Sequence, residues 1–245
     1  MRVISMHKVT PAMEAGEKPG PELMKGMGQL MGEMRRTGAF VDGAGLLPSA
    51  TRVRLRFAHG KRTLQKGPYK GVHELVAAIL MLKLRDMDEA IAWATRYGEA
   101  VGDSDIEIGP VTEAWDLGLM PKPADAPLRC LLLHRADADS EAGRPRRAPA
   151  ADAVAKLTDE MRAAGVLLAS ERLRPSREGM RIKVADKKAT VVDGPFAESK
   201  ELIAGFIIMN APSVAATQPW TSRFADVIGD IEMDVLPLYE PEEQA

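Results

Sequence analysis

The chain has 245 residues, of which 45% are hydrophobic and 28% charged, and its formal net charge is −2. This length suits one large domain or two domains of about 100 to 150 residues. The near-zero charge gives no basis for a nucleic-acid-binding surface, and no apolar run reaches the roughly 18 residues that a membrane span needs. Cys130 is the only cysteine, so no disulfide can form within the chain. The sequence therefore predicts a reduced cytoplasmic protein.

The chain repeats itself at a constant offset of 127 residues. His7 falls on His134, and Gly67-Pro68-Tyr69 falls on Gly194-Pro195-Phe196. Solenoid repeats run about 20 to 50 residues, so this period indicates two domain-sized copies instead. The predicted division is copy 1 at residues 1–117, a proline-containing linker at 118–127, copy 2 at 128–240 and a C-terminal tail at 241–245.

Each copy opens with an apolar strand, RVISMH in copy 1 and RCLLLH in copy 2. An amphipathic helix follows in each, with apolar residues at three- and four-residue steps, and Gly38 and Gly165 are predicted to end these helices. Copy 1 continues with strands at AFVDGAGL, TRVRLRFA, RTLQ and LVAAILMLKL, a helix around residues 87 to 99 and a last strand at DIEIGPVTEAW.

Three prolines refine this prediction. Pro219 in copy 2 stands where copy 1 has Ala92, so the second helix of copy 2 is predicted to begin later, near Thr217. Pro110 and Pro237 lie in the last strand of each copy, which predicts an edge position or a bulge there.

The order β-α-β-β-(β)-α-β is typical of the ferredoxin-like plan, an antiparallel sheet with two helices on one face. The bare face of such a sheet must be covered. The sequence therefore predicts an α+β protein with two ferredoxin-like domains whose sheets face each other in an α+β barrel. We expect this internal pseudo-dimer to have near two-fold symmetry, and a homo-oligomer stays open.

The candidate catalytic residues are His7, His134 and Asp193. His7 and His134 are the only histidines that coincide under the repeat, and histidine titrates near neutral pH, which makes it a natural general base. Asp193 lies on a predicted turn, from which its carboxylate could orient a histidine. The alternatives are a half-buried histidine bonded to backbone and an aspartate that caps its own turn. Lys66 occupies the matching place in copy 1, so one site per chain would carry this carboxylate.

Tyr69, Phe196, Ser49 and Ser176 are the candidate ligand-binding residues. The two aromatic rings follow a Gly-Pro pair and could plug the end of the barrel. The two serines follow prolines in loops, but no Gly-x-Ser-x-Gly elbow marks either as a nucleophile.

Other motifs give no indication of a bound group. The sequence has no phosphate-cradling glycine loop and no metal signature, so neither a cofactor nor a metal is predicted. The basic cluster of Arg144, Arg146 and Arg147 lies among Pro, Ala and Gly and is interpreted as a solvated loop.

Two stretches, DGPFAESKELIAGFIIM and GAFVDGAGLLPSATRVRLR, resemble the DGPF-type branch of the YCII-related family. The resemblance extends over both copies, although Lys66 replaces the aspartate of the signature in copy 1. It implies a ferredoxin-like fold and a dimeric α+β barrel. It also implies a bacterial setting in which some relatives are encoded near extracytoplasmic-function sigma factors. Distant relatives include small lactone- or chloride-eliminating enzymes with a His/Asp pair.

Three functions are therefore considered. The first is a tandem-domain protein that binds an unknown small molecule or a partner in bacterial regulation, such as an extracytoplasmic-function sigma factor system. The second is a lyase- or hydrolase-like enzyme that uses His134 or His7 as a base with Asp193 as its partner. The third is an assembly module that oligomerises through its sheets.

Overall fold

The computed structural model describes residues 1–72, 74–196, 200–240 and 243. The three residues Ala197, Glu198 and Ser199 of the DGPF stretch and, apart from Glu243, the predicted tail lie outside this part of the chain. The helices are α1 Pro11–Glu14, α2 Pro21–Arg36, α3 Met87–Val101, α4 Ala138–Glu141, α5 Ala148–Ala163 and α6 Gln218–Ile228. The strands are β1 Arg2–Lys8, β2 Phe40–Gly45, β3 Val53–Ala58, β4 Lys61–Lys66, β5 Val76–Leu84, β6 Ser104–Pro110, β7 Leu128–Arg135, β8 Leu167–Arg172, β9 Met180–Ala185, β10 Lys188–Asp193, β11 Ile203–Asn210 and β12 Ile231–Pro237.

The secondary-structure elements recur at the offset of the sequence repeat. Helices α2 and α5, for example, begin and end 127 residues apart, and so do strands β2 and β8. Gly38 and Gly165 follow the first long helix of each copy with φ of 72° and 67°, a left-handed conformation that suits glycine after a helix. The predicted late start of the second helix in copy 2 is confirmed. Helix α6 begins at Gln218 with Pro219 in its first turn, after a 3₁₀ turn at Ala215–Thr217.

Twelve strands form two antiparallel sheets in the described residues. Sheet 1 has the order β10-β9-β12-β1-β11-β2, and sheet 2 has the order β4-β3-β6-β7-β5-β8. In sheet 1 the unit β1-α2-β2 is split by β11, and in sheet 2 the unit β7-α5-β8 is split by β5, which is the ferredoxin-like arrangement.

Each sheet takes strands from both copies. Copy 1 gives β1 and β2 to sheet 1 but β3 to β6 to sheet 2, and copy 2 divides in the converse way. The sheets therefore differ from the expectation that each copy would form its own ferredoxin-like sheet. The helices follow the same division, since α2 packs against α6 and α3 packs against α5.

The physical cause of this exchange is the connection that follows the second strand of each copy. The amide of Leu46 donates to Ala204 O in sheet 1, and the next amide, from Leu47, donates to Pro110 O in sheet 2. Leu173 and Arg174 repeat the pattern in the opposite direction, donating to Ala77 O in sheet 2 and Pro237 O in sheet 1. Two successive residues thus carry the chain from one sheet to the other.

Three apolar clusters hold the layers together. One lies between the two sheets and includes Ile4, Ile79, Leu131 and Phe206. A second packs α3 and α5 on sheet 2, and a third packs α2 and α6 on sheet 1. The helix-free faces of the two sheets therefore pack on each other through the first cluster, as burial of apolar area requires.

The prediction that Pro110 and Pro237 mark an edge strand is wrong. Strands β6 and β12 lie inside their sheets, each between two hydrogen-bonded neighbours. Each proline is the last residue of its strand and pairs with one neighbour only, Pro110 with Cys130 and Pro237 with Val3. The ladders to β3 and β9 have already ended there, so the missing N–H interrupts no hydrogen bond on that side.

Side-chain volume is exchanged between matching positions of the two copies. The buried Arg52 lies against Gly109, where an added Cβ would come within 2.5 Å of Arg52 Cγ. At the positions 127 residues later, Gly179 lies against Leu236, and a Cβ on Gly179 would come within 2.4 Å of Leu236 Cδ2. In sheet 2 the large residue is Arg52, just before β3, and in sheet 1 it is Leu236, within β12.

We predict that Gly109→Leu lowers the free energy of unfolding by about 1–3 kcal/mol, because overpacking forces neighbours out of place. The double variant Arg52→Gly/Gly109→Leu reproduces the combination found in sheet 1 and should recover part of that loss. Urea denaturation of the two single variants and the double variant measures the coupling. Purely additive losses would show that the two positions do not share one space.

Candidate functional site

His134 lies on the helix-facing side of sheet 2, where its strand β7 is in the middle of the sheet. The apolar run of β7 places Cys130 and Leu132 on the same face, against α3 and α5, so His134 continues a buried stripe. The Tyr97 hydroxyl of α3 lies 3.4 Å from His134 Nδ1, and the two rings meet edge to face at 5.7 Å. Only 5% of His134 is exposed.

A cavity of about 380 Å³ opens beside this histidine. It lies between the end of sheet 2, the loop that precedes α5 and the strand end at Arg172. Its polar lining consists of Asp103, His134, Asp137, Asp139, Ser140, Arg144, Arg146, Arg147, Arg172 and Tyr239. The cluster of Arg144, Arg146 and Arg147, interpreted from the sequence as a solvated loop, therefore forms one wall of the His134 cavity.

The electrostatics of this cavity keep the two central side chains neutral. Burial, together with the positive charge of Arg146, lowers the pKa of His134 to about 4, although Asp137 acts in the opposite direction. Burial raises the pKa of Tyr97, against the charge and hydrogen bond of Arg146. Near neutral pH the cavity therefore presents an uncharged imidazole beside several guanidinium groups, and the protonated phenol of Tyr97 packs against that imidazole.

Asp137 is the carboxylate of this cavity nearest to His134 along the chain, and it serves as a helix cap. Its Oδ1 accepts a hydrogen bond of 2.7 Å from the Ser140 amide at the start of α4. Burial acts to raise the pKa of Asp137, but hydrogen bonds from Ser140 outweigh it and lower that pKa. Within the described residues no carboxylate hydrogen-bonds to His134.

A second cavity, of about 550 Å³, occupies the matching place beside His7. The ring of Phe224, the counterpart of Tyr97, lies 5.0 Å from the His7 ring, and burial with the charges of Lys8 and Arg52 lowers the pKa of His7 to about 4. The linings differ in chemistry. The residues that replace Arg144, Arg146, Arg147 and Arg172 are Glu17, Pro19, Gly20 and Gly45.

The structure does not bring Asp193 together with either histidine. Asp193 ends β10, the exposed edge strand of sheet 1, and two strands separate β10 from the β1 strand that carries His7. Three strand spacings amount to about 14 Å. His134 belongs to the other sheet. The His/Asp193 pair considered from the sequence is therefore not formed in this arrangement.

Ser49 and Ser176 lie inside the scaffold and not in a cavity. Each is almost fully buried, with an exposed fraction of 0% and 1%. Ser176 Oγ donates to Glu141 Oε2 at 2.5 Å, and Ser49 Oγ donates to Glu14 in the same way. These bonds tie the loop before the third strand of each copy to the short helices α1 and α4.

Tyr69 and Phe196 also contact the scaffold. The guanidinium of Arg54 lies 4.2 Å from the centre of the Tyr69 ring, and that of Arg181 lies 4.4 Å from the Phe196 ring. Phe196 belongs to the cluster between the two sheets. Neither ring lines a cavity beside His7 or His134.

Comparison with known proteins gives one match. Residues 128–228 match the YCII-related domain. The matched segment runs from β7 to the end of α6. It contains His134 and the four arginines that line the cavity beside it, Arg144, Arg146, Arg147 and Arg172. No curated protein and no solved structure matches the chain.

The described part of the chain has neither a membrane-spanning helix nor a metal-binding cluster. None of its helices combines the length and apolarity that crossing a bilayer requires. Among the same residues, no group of three or more His, Cys, Asp or Glu side chains could hold a metal ion.

The lowered pKa values predict a pH dependence of stability. As the pH falls below about 6.5, the unfolded chain takes up protons at His7 and His134, while the folded protein takes them up only near pH 4. The stability that the neutral imidazoles contribute is therefore complete above pH 6.5 and lost between 6.5 and 4, by about 3 kcal/mol for each histidine.

This loss can be measured by urea denaturation at several pH values. His134→Gln should remove about half of the loss of stability between pH 6.5 and 4, because His7 still contributes, whereas His59→Asn, a change at an exposed turn with φ of 52°, should leave the curve unchanged. An identical curve for His134→Gln and the unmodified protein would contradict the burial of a neutral imidazole.

Proposed function

We propose that the protein binds a small organic molecule with an anionic group in the cavity beside His134. The observation that carries this proposal is the concentration of arginines in one wall: Arg144, Arg146, Arg147 and Arg172. Guanidinium groups bind carboxylates and phosphates through paired N–H donors. Asp139 already pairs with Arg144, through a 2.8 Å bond from Nε, which leaves Arg146, Arg147 and Arg172 as the principal anchors.

The inner end of the cavity supports an organic ligand and not a bare anion. His134 supplies an uncharged hydrogen-bonding group, with the Tyr97 hydroxyl behind it 3.4 Å from Nδ1, and Ala77, Val101 and Leu173 supply apolar contact. A volume of about 380 Å³ falls within the ordinary range of small-molecule sites. A ligand would place its charged group at the arginine wall and its uncharged part against His134.

Binding is favoured over the enzyme alternative because His134 is a poor base. A general base works best when its pKa is near the operating pH, and burial lowers the pKa of His134 to about 4. Asp193, the proposed orienting carboxylate, lies on the far edge of the other sheet. An enzyme would need Asp137 to leave its cap on α4 and turn towards the imidazole.

We also propose that the chain is a tandem member of the DGPF-type branch and forms an internal pseudo-dimeric α+β barrel. The recurrence of elements at one offset and the packing of the two sheets through their shared cluster support this. A role in bacterial regulation, with a link to an extracytoplasmic-function sigma factor system, stays a prediction from the family resemblance.

The ligand can be sought by a thermal-shift screen of small carboxylates and phosphate esters. A true ligand should raise the melting temperature of the unmodified protein, and its affinity should fall about tenfold in Arg146→Gln, since hydrogen bonds to charged groups contribute about 1.5–3 kcal/mol. Affinity should fall in Tyr97→Phe as well, because the Tyr97 hydroxyl hydrogen-bonds to Arg146 and helps to position it. Tyr97→Phe is well suited because Phe224 fills the matching place in sheet 1.

Lys18→Gln, in the cavity beside His7, is the matched control and should leave binding unchanged. Equal loss in all three variants would place the ligand elsewhere or indicate non-specific charge effects. Turnover of the ligand, abolished by His134→Gln with little change in affinity, would favour the enzyme alternative.

A further inference from the structure

A cluster of buried charges lies on the side of sheet 2 that faces away from His134. Glu107 of β6 accepts hydrogen bonds of 3.0 Å from Arg52, 3.0 Å from Arg54 and 2.7 Å from Arg135. Glu74 accepts a bond of 2.5 Å from Arg54 and forms an ion pair with Arg135. Arg52, Glu74 and Glu107 have exposed fractions of 0% or 1%.

This cluster carries one more positive charge than negative charge. It contains the three guanidinium groups of Arg52, Arg54 and Arg135 and the two carboxylates of Glu74 and Glu107. Burial acts to raise the pKa of Glu107, but the charges of Arg135, Arg52 and Arg54 outweigh it and lower that pKa. The carboxylate of Glu107 is therefore ionised near neutral pH.

The matching cluster in sheet 1 has fewer cations. The residues 127 positions away from Arg52, Arg54, Glu107 and Arg135 are Gly179, Arg181, Asp234 and Lys8. Lys8 and Arg181 both contact Asp234 at 2.6 Å. Because glycine replaces Arg52, two cations surround Asp234 in sheet 1, whereas three surround Glu107 in sheet 2.

The cluster in sheet 2 also has unused hydrogen-bonding groups. Arg135 Nη1 is buried and has no hydrogen-bond acceptor, and only 6% of Arg135 is exposed. The Tyr69 hydroxyl, close to the same arginines, is buried without a partner as well. A buried donor on a charged group is costly to leave unpaired, so this arrangement calls for an acceptor.

A cavity of about 200 Å³ adjoins Arg135. It lies over strands β3, β4, β6 and β7 and is lined by Arg54, Arg56, Arg135, Thr63 and Gln65 among others. Its only acidic lining residue in the described part of the chain is Asp105, which lies 3.7 Å from Arg56. The space is large enough for an oxyanion of a few heavy atoms.

We propose that this cavity is an anion site that takes a carboxylate or an inorganic phosphate. The anion accepts hydrogen bonds from Arg135 and its neighbours Arg54 or Arg56 and compensates the excess positive charge of the cluster. The site goes beyond the function proposed for the His134 cavity, because the two cavities have no lining residue in common.

The test measures binding of inorganic phosphate and, separately, of acetate by calorimetry and thermal shift, against chloride at constant ionic strength. One equivalent of phosphate or acetate should bind to the unmodified protein and raise its melting temperature. Whichever of the two binds more tightly identifies the source of the anionic oxygens.

Arg135→Lys is the decisive variant, since Lys8 occupies the matching position and the change keeps the charge while removing the unpaired Nη1. It should weaken anion binding at least tenfold. Arg56→Gln, at a side chain that is 71% exposed, provides a second variant that does not depend on the buried cluster for folding. Arg62→Gln, whose side chain bonds to Thr95 outside the cavity, is the control and should bind like the unmodified protein.

Three results would overturn the proposal. The first is that neither anion stabilises the protein more than chloride does. The second is that anion binding is unchanged in both Arg135→Lys and Arg56→Gln. The third is that anion binding is lost in Arg146→Gln and retained in Arg135→Lys. The last result would assign the anion to the cavity beside His134. Loss of anion binding in Arg135→Lys, with normal anion binding in Arg146→Gln, would support this site separately from the function proposed for the cavity beside His134.

Discussion

The architecture depends on two short connections in which the chain passes from one sheet to the other. Successive amides at Leu46 and Leu47, and again at Leu173 and Arg174, donate to carbonyl groups of different sheets. Because of these crossings, sheet 2 is built from one continuous stretch, β3 to β8, while sheet 1 joins the two ends of the chain. Neither copy can complete a sheet without the other, so the two copies fold as one unit. The linker joins β6 to its sheet neighbour β7 and has no part in the exchange.

The exchange explains how one duplicated scaffold can support two different cavities. The His134 cavity combines Ala77 and Val101 from copy 1 with the arginine wall from copy 2, and the His7 cavity combines the opposite halves. Residues from both copies therefore determine the lining of each cavity. The scaffold bonds of Ser49 and Ser176 to Glu14 and Glu141 are kept in both places, while the lining changes from arginine to glycine, proline and glutamate. The residues that hold the scaffold together and the residues that line the cavities can therefore change independently of each other.

The sequence predicts local structure well and partners in space poorly. The constant offset, the caps at Gly38 and Gly165 and the late start of α6 could be predicted because each depends on residues within one or two turns. The exchange could not, because a strand's alternation shows which face is buried but not which strand lies beside it. For the same reason the sequence did not show that Asp193 lies three strand spacings from the strand of His7 and in a different sheet from His134. Arg146, in a proline-rich loop, likewise gave no indication that it lies near His134. Substitution of Tyr97 by Phe224 under the repeat was a usable signal for the site.

The buried charges show most clearly that the two halves are not equivalent. Arg52 donates from Nη1 both to Glu107 in sheet 2 and, at 2.7 Å, to Ile203 O in sheet 1, so a guanidinium joins the sheets at this end. At the matching end Gly179 leaves that space to Leu236, a member of the cluster between the sheets. Burying ions seldom stabilises a fold more than well-packed apolar residues do. Since Leu236 fills the matching space in sheet 1, the guanidinium of Arg52 in sheet 2 is better explained by the anion that we propose the cluster binds than by stability.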